Sequence, residues 1–391
     1  LAILYTSGTT GLPKCLVHGA GGTLLTHAKE QQLHCDIRPG DVVLYYTTTG
    51  WMMWNWLVSA LARQATIVLY EGGLAYPSRE AFWELVERHG VTHLGLGAAY
   101  LESSRKRRLR PRELAPLAAL RCVLSTGSPL SPDGFRWVYD AIKPDVHLAS
   151  ISGGTDIVGC FMLGDPSGPV YAGQIQRPAL GVDLAVYDED GRELHGAMGE
   201  LVCRNPIPSM PLALWHDPDG ARYRETYFSR FPGVWCHGDL IERTAQGGII
   251  VHGRSDATLK PGGVRIGTSE LYRPLQSLPV IVDALAAGKR ETGDVAIWLF
   301  VVLAAGHQLD DELESLVRTT IRQLATPLAA PRRIFQVEEL PRTRSGKLAE
   351  VAVARLINGD PIPNRAALAN PDALTAIARA VEQPARRGAE R

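Results

Sequence analysis

Ten residues near the start of the chain, Tyr5-Thr6-Ser7-Gly8-Thr9-Thr10-Gly11-Leu12-Pro13-Lys14, combine four hydroxyls beyond the tyrosine with two glycines and a lysine. Glycines that leave backbone N–H groups open, hydroxyls at Thr6, Ser7, Thr9 and Thr10, and the Lys14 ammonium together suit a bound polyanion. A Walker-type loop needs GxxxxGK[ST], whose last hydroxyl holds magnesium. Here Gly8 and Gly11 stand only three apart, Pro13 precedes Lys14, and Cys15 takes the hydroxyl position. The stretch is therefore either a different kind of phosphate cradle or a surface turn of the same composition. Two further glycine-bearing turns follow apolar runs: Ser125-Thr126-Gly127-Ser128-Pro129, and Ser150-Ile151-Ser152-Gly153-Gly154-Thr155-Asp156. The second ends in a carboxylate able to hold a hard cation.

These turns need elements to position them. From Leu1 to about Asp256, runs such as Ala65 to Tyr70 and Leu120 to Leu124 alternate with helical stretches such as Arg79 to Arg88. That alternation predicts an α/β fold in which helices cover a largely parallel sheet, with ligands bound beyond the strand ends. Leu1-Ala2-Ile3-Leu4 reads as a buried strand with no start of its own, so an N-terminal region is expected before it. Beyond Asp256 the pattern changes: Val295 to Ala304 reads as a strand, Asp310 to Gln323 as a helix, and Ile334 to Val337 as a short strand. The expected division is an incomplete large domain over 1–255, a small α+β domain over 256–360, and a peripheral helix and tail over 361–391.

Lysine plus arginine equals aspartate plus glutamate, 41 against 41, so no strong field draws the chain to nucleic acid or anionic lipid. Six scattered cysteines, with no CxxC pair, point to neither a zinc site nor a disulfide framework, and fit a reduced cytoplasm. No uncharged apolar run reaches membrane-spanning length. His89 and His93 have helical metal-ligand spacing but straddle Gly90 and lack a third ligand, so a structural role is expected. Arg105-Lys106-Arg107-Arg108, with Arg110, reads as a solvated face.

The opening string as a whole resembles the signature loop of the adenylate-forming superfamily, and four later motifs follow in that superfamily's order. "SISGGTD", Ser150 to Asp156, resembles its adenine and magnesium motif, with Asp156 where glutamate is usual. "WCHGDL", Trp235 to Leu240, resembles the ribose motif, and "GRSDATLKPGGVRIGTSEL", Gly253 to Leu271, the hinge motif. "PRTRSGK", Pro341 to Lys347, resembles the motif that carries the catalytic lysine. The resemblance implies part of a large multi-sheet α/β adenylate-forming domain followed by a small mobile α+β domain. It also implies that Thr6, Ser7, Gly8, Thr9, Thr10, Gly11 and Lys14 hold the β,γ-phosphates of ATP, and that Gly127, Ser128, Pro129 and Thr155 bind nucleotide. Asp156 would hold Mg²⁺, Asp239 and Arg254 would bind the ribose, Arg265 would lie near the phosphate, Lys347 would be the catalytic lysine, and Asp256 the hinge.

Narrower resemblance comes from "TTTGWMMWNWLVSAL" (Thr47 to Leu61), Ser125 to Asp156, "PVYAGQIQ" (Pro169 to Gln176) and "NRAALANPDAL" (Asn364 to Leu374). These look like the acetoacetyl-CoA synthetase branch, which implies acetoacetate, ATP and coenzyme A as substrates. Acetate-specific relatives carry a tryptophan where this chain has Gly153, which implies a roomier acyl pocket walled by Trp51, Met53 and Asn55. Asn55 is placed to bond a ketone oxygen, whereas Trp51 and Met53 are as well explained by core packing. Two alternatives stay open: another short-chain acid with the same mechanism, and an inactive nucleotide-binding remnant.

Overall fold

A computed structural model describes residues 2–6, 14–264, 266–292, 294–344, 346–362 and 365–382. The chain is α/β, and its described residues fall into two compact units: those within 2–6, 14–237 and 241–251 form the first, and those within 238–240 and 252–382 the second.

The first unit is built on a five-stranded parallel sheet in the order Thr66–Val68, Val42–Tyr45, His93–Gly97, Cys122–Thr126, His147–Ser150. Both faces are buried, as a parallel sheet requires. Leu44, Leu94, Leu96, Val123 and Leu148 meet Phe82, Trp83 and Phe135 on one side. Val43, Tyr45, Leu124 and Ala149 meet Met53, Trp56, Leu57 and Cys160 on the other. The helix Met52–Ser59 turns Met52, Met53, Trp56 and Leu57 inward, the spacing of one buried helical stripe. Smaller antiparallel sheets flank this frame. Ala2–Tyr5, Cys15–His18 and Ala213–Leu214 make one, with Tyr5 opposite Cys15, so the hydroxyl-rich string joins two paired strands. Ser152–Gly154, Gly159–Leu163 and Arg177–Pro178 make another.

The second unit holds a three-stranded sheet: Ile281–Glu291 antiparallel to Asp294–Leu303, which runs parallel to Arg333–Gln336. Alternation decides its layers. Ile297, Leu299 and Val301 face a cluster with Leu271, Val317 and Ile321, whereas Trp298 and Phe300 face one with Val353, Leu374 and Ile377. The helix Asp311–Leu324 starts where Asp310 accepts a bond from the Leu313 N–H at 2.8 Å, with Asp311, Glu312 and Glu314 favourably placed in its first turn. The helix Asp372–Glu382, expected at the periphery, buries Ala373, Leu374 and Ile377 completely. Among the described residues no helix is long and apolar enough to cross a membrane.

Candidate active site

Loops after adjacent parallel strands converge at one end of the first unit's sheet, the position where open α/β sheets present ligand sites. Gly127, with φ +90°, takes the chain out of Cys122–Thr126 and leaves Ser128 and Pro129 exposed. The next loop leaves His147–Ser150, and Thr126 Oγ1 ties the two together by donating to the Ile151 carbonyl at 3.2 Å. Trp51 ends the loop after Val42–Tyr45, and a Cβ at Gly127 would lie 3.8 Å from its indole.

The ends of the hydroxyl-rich string are pinned to each other. Thr6 N–H donates to the Lys14 carbonyl, and Lys14 N–H donates to Thr6 Oγ1, each at 3.0 Å. Ser7, Gly8, Thr9, Thr10 and Gly11 lie outside the described residues, as does Arg265. Lys14 Nζ then donates to Asp156 Oδ1 at 2.6 Å and lies 3.3 Å from the Tyr227 hydroxyl, which itself donates to Asp156 Oδ1 at 2.5 Å. Burial alone would raise the Asp156 pKa. The Lys14 ammonium and its hydrogen bond, His237 and the Tyr227 bond together outweigh it and hold the carboxyl well below the usual range. Tyr227 is fixed by stacking on Trp235, with ring centroids 3.7 Å apart and planes 12° from parallel. His237 packs on Phe161 and beside Gly154, where a Cβ would lie 3.3 Å from the imidazole. The Thr155 carbonyl accepts from His18 Nε2 at 2.9 Å, and His18 Nδ1 lies 3.2 Å from the Ser209 carbonyl. Burial pushes the His18 pKa down against these two contacts.

Among the expected acyl-pocket residues, Met53 is buried in the core with Tyr45 and Trp56, and Trp51 packs on the same cluster. Asn55 is half-buried on the same helix. Gly153 pairs with Cys160 across a bulge, and a Cβ there would lie 2.0 Å from the Gly159 carbonyl oxygen. The glycine is thus demanded by close strand approach, and the room expected from a missing side chain is not its only explanation.

The second unit holds the other expected residues. Arg254 Nη1 donates to Asp239 at 3.1 Å, and its Nε lies 3.5 Å from Asp256. Gly238, with φ +82°, accommodates that guanidinium: a Cβ would stand 2.9 Å from Arg254 Nη2. Asp256 sits in the short helical turn Ser255–Ala257. Lys347 closes a tight turn. Thr343 N–H donates to its carbonyl at 2.8 Å, Gly346 adopts φ +80°, and Arg342 donates to the Gly346 carbonyl at 2.6 Å. Arg342 is itself paired with Asp283.

Tyr227, His237 and His18 escape a sequence reading. Trp235, His237 and Asp239 are alternate residues of one strand, so period-two alternation through "WCHGDL" was the signal available for His237. Tyr227 carries no such signal. His93, discounted as a ligand, is buried beside the Cys35 carbonyl at 2.9 Å. Arg110 pairs with Glu113 and Asp140 at the surface.

A parallel α/β core with glycine turns beyond its strand ends, followed by a small three-stranded unit, has the order of parts expected from the motifs. The chain belongs to the AMP-binding enzyme family: the family model matches residues 1–210, and the model of its C-terminal domain matches 275–347. It is 50% identical over 378 residues to the acetoacetyl-coenzyme A synthetase of Rhizobium meliloti (strain 1021), covering 97% of this chain and 58% of that one. It is 45% identical over 376 residues to the acetoacetyl-CoA synthetase of Mus musculus, covering 96% and 56%. The solved acetoacetyl-CoA synthetase of Streptomyces lividans superposes with a TM-score of 0.90 at 45% identity, over 96% of this chain and 58% of that one. An anthranilate CoA ligase solved with anthranoyl-AMP shares the fold, with a TM-score of 0.78 at 21% identity. The chain thus spans 58% or less of the length of the acetoacetyl-CoA synthetases it matches here.

Proposed function

We propose that this chain is the adenylate-forming portion of an acetoacetate–CoA ligase. The observation that carries the reading is the Lys14–Asp156–Tyr227 cluster at the strand ends, in a chain 50% identical to an acetoacetyl-coenzyme A synthetase. In the first half-reaction a carboxylate oxygen of acetoacetate attacks the α-phosphorus of ATP. The bond to the β-phosphate oxygen breaks, pyrophosphate leaves, and acetoacetyl-AMP forms. In the second, the coenzyme A thiol sulfur attacks the acyl carbonyl, AMP leaves with the bonding pair, and the thiol proton passes to solvent. Neither nucleophile comes from the protein, so its work is positioning and charge stabilisation.

Thr6, Ser7, Gly8, Thr9, Thr10, Gly11 and Lys14 are the proposed cradle of the departing phosphates. Gly127, Ser128, Pro129 and Thr155 line the nucleotide, Asp239 and Arg254 hold the ribose, and Arg265 the phosphate. Lys347 bridges the attacking carboxylate and the α-phosphate, and Asp256 is the pivot between the two half-reactions. Trp51, Met53, Asn55 and Gly153 form the acyl pocket. Asp156, held ionised by Lys14, offers one hard oxygen ligand, which fits a magnesium ion otherwise held by substrate phosphates and water. Mg²⁺ bound there would neutralise phosphate charge.

Acid-dependent ATP–pyrophosphate exchange tests the reading. Acetoacetate is expected to drive exchange well above butyrate or acetate, and Lys347→Ala to abolish it. Equal exchange with all three acids would contradict the substrate, and no exchange from folded chain would contradict the activity.

A further inference from the structure

One carboxylate deep in the first unit touches both walls of the proposed acyl pocket. Glu30 opens the π-helical turn Glu30–His34, which continues the helix Ala20–Lys29. Its side chain belongs to a buried polar seam of His27, Glu30, Gln31 and His34. Their spacing of three, four and seven residues places all of them on one helical face. Glu30 Oε2 accepts from Trp56 Nε1 at 3.0 Å, and Oε1 accepts from the Cys160 backbone N–H at 2.8 Å. Trp56 lies on the helix that carries Met53 and Asn55, and Cys160 lies opposite Gly153.

The second contact continues as a chain of close approaches. A Cβ at Gly159 would lie 2.9 Å from Glu30 Oε1, and a Cβ at Gly153 only 2.0 Å from the Gly159 carbonyl oxygen. Glu30, the Gly159–Cys160 backbone and Gly153 are therefore stacked without spare room, so displacing the carboxylate shifts the strand that borders Gly153. The rest of the seam reinforces both anchors. Gln31 Nε2 donates to the Trp56 carbonyl at 2.7 Å, and His27 Nε2 bonds the Val158 carbonyl at 2.6 Å. Packing Asn55's helix needs no buried acid, and burial pushes this carboxyl's pKa up to about 7, a cost that hydrophobic packing alone would avoid.

We infer that Glu30 is a positioning residue for acid selection, holding the Asn55 helix and the Gly153 strand at the separation that distinguishes a short 3-keto acid from its saturated analogue. The inference rests on the acyl pocket of the proposed function. Glu30→Gln keeps the shape but turns one acceptor into a donor, so either Trp56 Nε1 or the Cys160 N–H faces another donor. Trp56→Phe removes only the helix-side bond and serves as the second variant should the first not fold.

The test measures, by calorimetry, affinities of the full chain for sulfamoyl adenosines bearing acetoacetyl and butyryl groups, with AMP as reference. Wild type is expected to prefer the acetoacetyl compound. Either folded variant is expected to lose about tenfold of that preference, with AMP affinity unchanged within about twofold. A wild-type preference that survives in the folded variants, or that falls only in step with AMP affinity, overturns the role of Glu30 alone. Absence of any acyl preference in wild type overturns this inference together with the acyl-pocket reading beneath it.

Discussion

Lys14 Nζ and Asp156 Oδ1 lie 2.6 Å apart, joining the hydroxyl-rich loop to the Gly154-Thr155-Asp156 turn through one ion pair. Both side chains are largely shielded, at 28% and 16% exposure, so the pair is less screened than a surface bridge. On the proposed chemistry, phosphate and magnesium compete for the same two groups, which makes the pair a latch that substrate must exchange.

Lys14→Met is expected to cost about 10²–10³ in exchange rate, the usual loss for one positioned charge. It also has a signature in stability. Asp156 is depressed below its ordinary 3.8, so the stability it contributes is present above that pH and lost on acidification. The gap in melting temperature between wild type and Lys14→Met should be widest near neutrality and shrink below about pH 4. A gap independent of pH would show that Lys14 does not hold the carboxylate ionised.

Tyr227→Phe separates the hydroxyl from the ring. The stack on Trp235 survives, while the bond to Asp156 is lost. Stability should change by about 1 kcal/mol or less, whereas the KM for magnesium–ATP rises. Steady-state kinetics beside thermal melts would check this, and an unchanged KM would remove Tyr227 from the nucleotide site.

Two desolvated carboxyls, the buried Glu30 and the half-buried Glu350, give a pH dependence of opposite sign to that of Asp156. Burial raises Glu30 and Glu350 from 4.5 to about 7 each. Around Glu30, Lys29 and the bonds from Cys160 and Trp56 oppose the rise. Around Glu350, bonds from Tyr272 and Thr268 oppose it, and Asp256 adds to it. A folded-state pKa above the unfolded value means stability is greatest below about pH 4.5 and falls as pH climbs to about 7. Glu350→Gln should flatten that part of the melting profile, and an unaltered slope would refute the raised pKa.

Gly153→Ala addresses the acyl pocket from the other side. With a Cβ 2.0 Å from the Gly159 oxygen, strand pairing must give way, at a cost of about 1–3 kcal/mol or more. Chemical denaturation measures it. A variant as stable as wild type would mean the strand approach is not what requires glycine.

Much of this was legible in the chain. The alternation before Asp256 gave the parallel sheet because a sheet buried on both faces leaves continuous apolar runs, and Asp310 marked a helix start because its side chain caps the Leu313 N–H. The long strand Ile281–Glu291 was missed because "IVDALAAGKRE" mixes alanine, glycine and charge with little β-branching. Lys14 and Asp156 were both singled out from sequence, but their pairing depends on contacts 142 residues apart. Tyr227 carried no local signal, and the alternation around His237 and the helical spacing around Glu30 mark a buried face without showing its partners: Asp156, Phe161, Trp56 and Cys160 are set by tertiary packing.

The most direct measurement is a single turnover with ATP, acetoacetate and Mg²⁺ but no coenzyme A, quenched and read by mass spectrometry. Acetoacetyl-AMP stoichiometric with folded chain is expected, and none from Lys347→Ala. An adenylate formed equally well by the variant, or pyrophosphate released with no acetoacetyl-AMP, would contradict the proposed function.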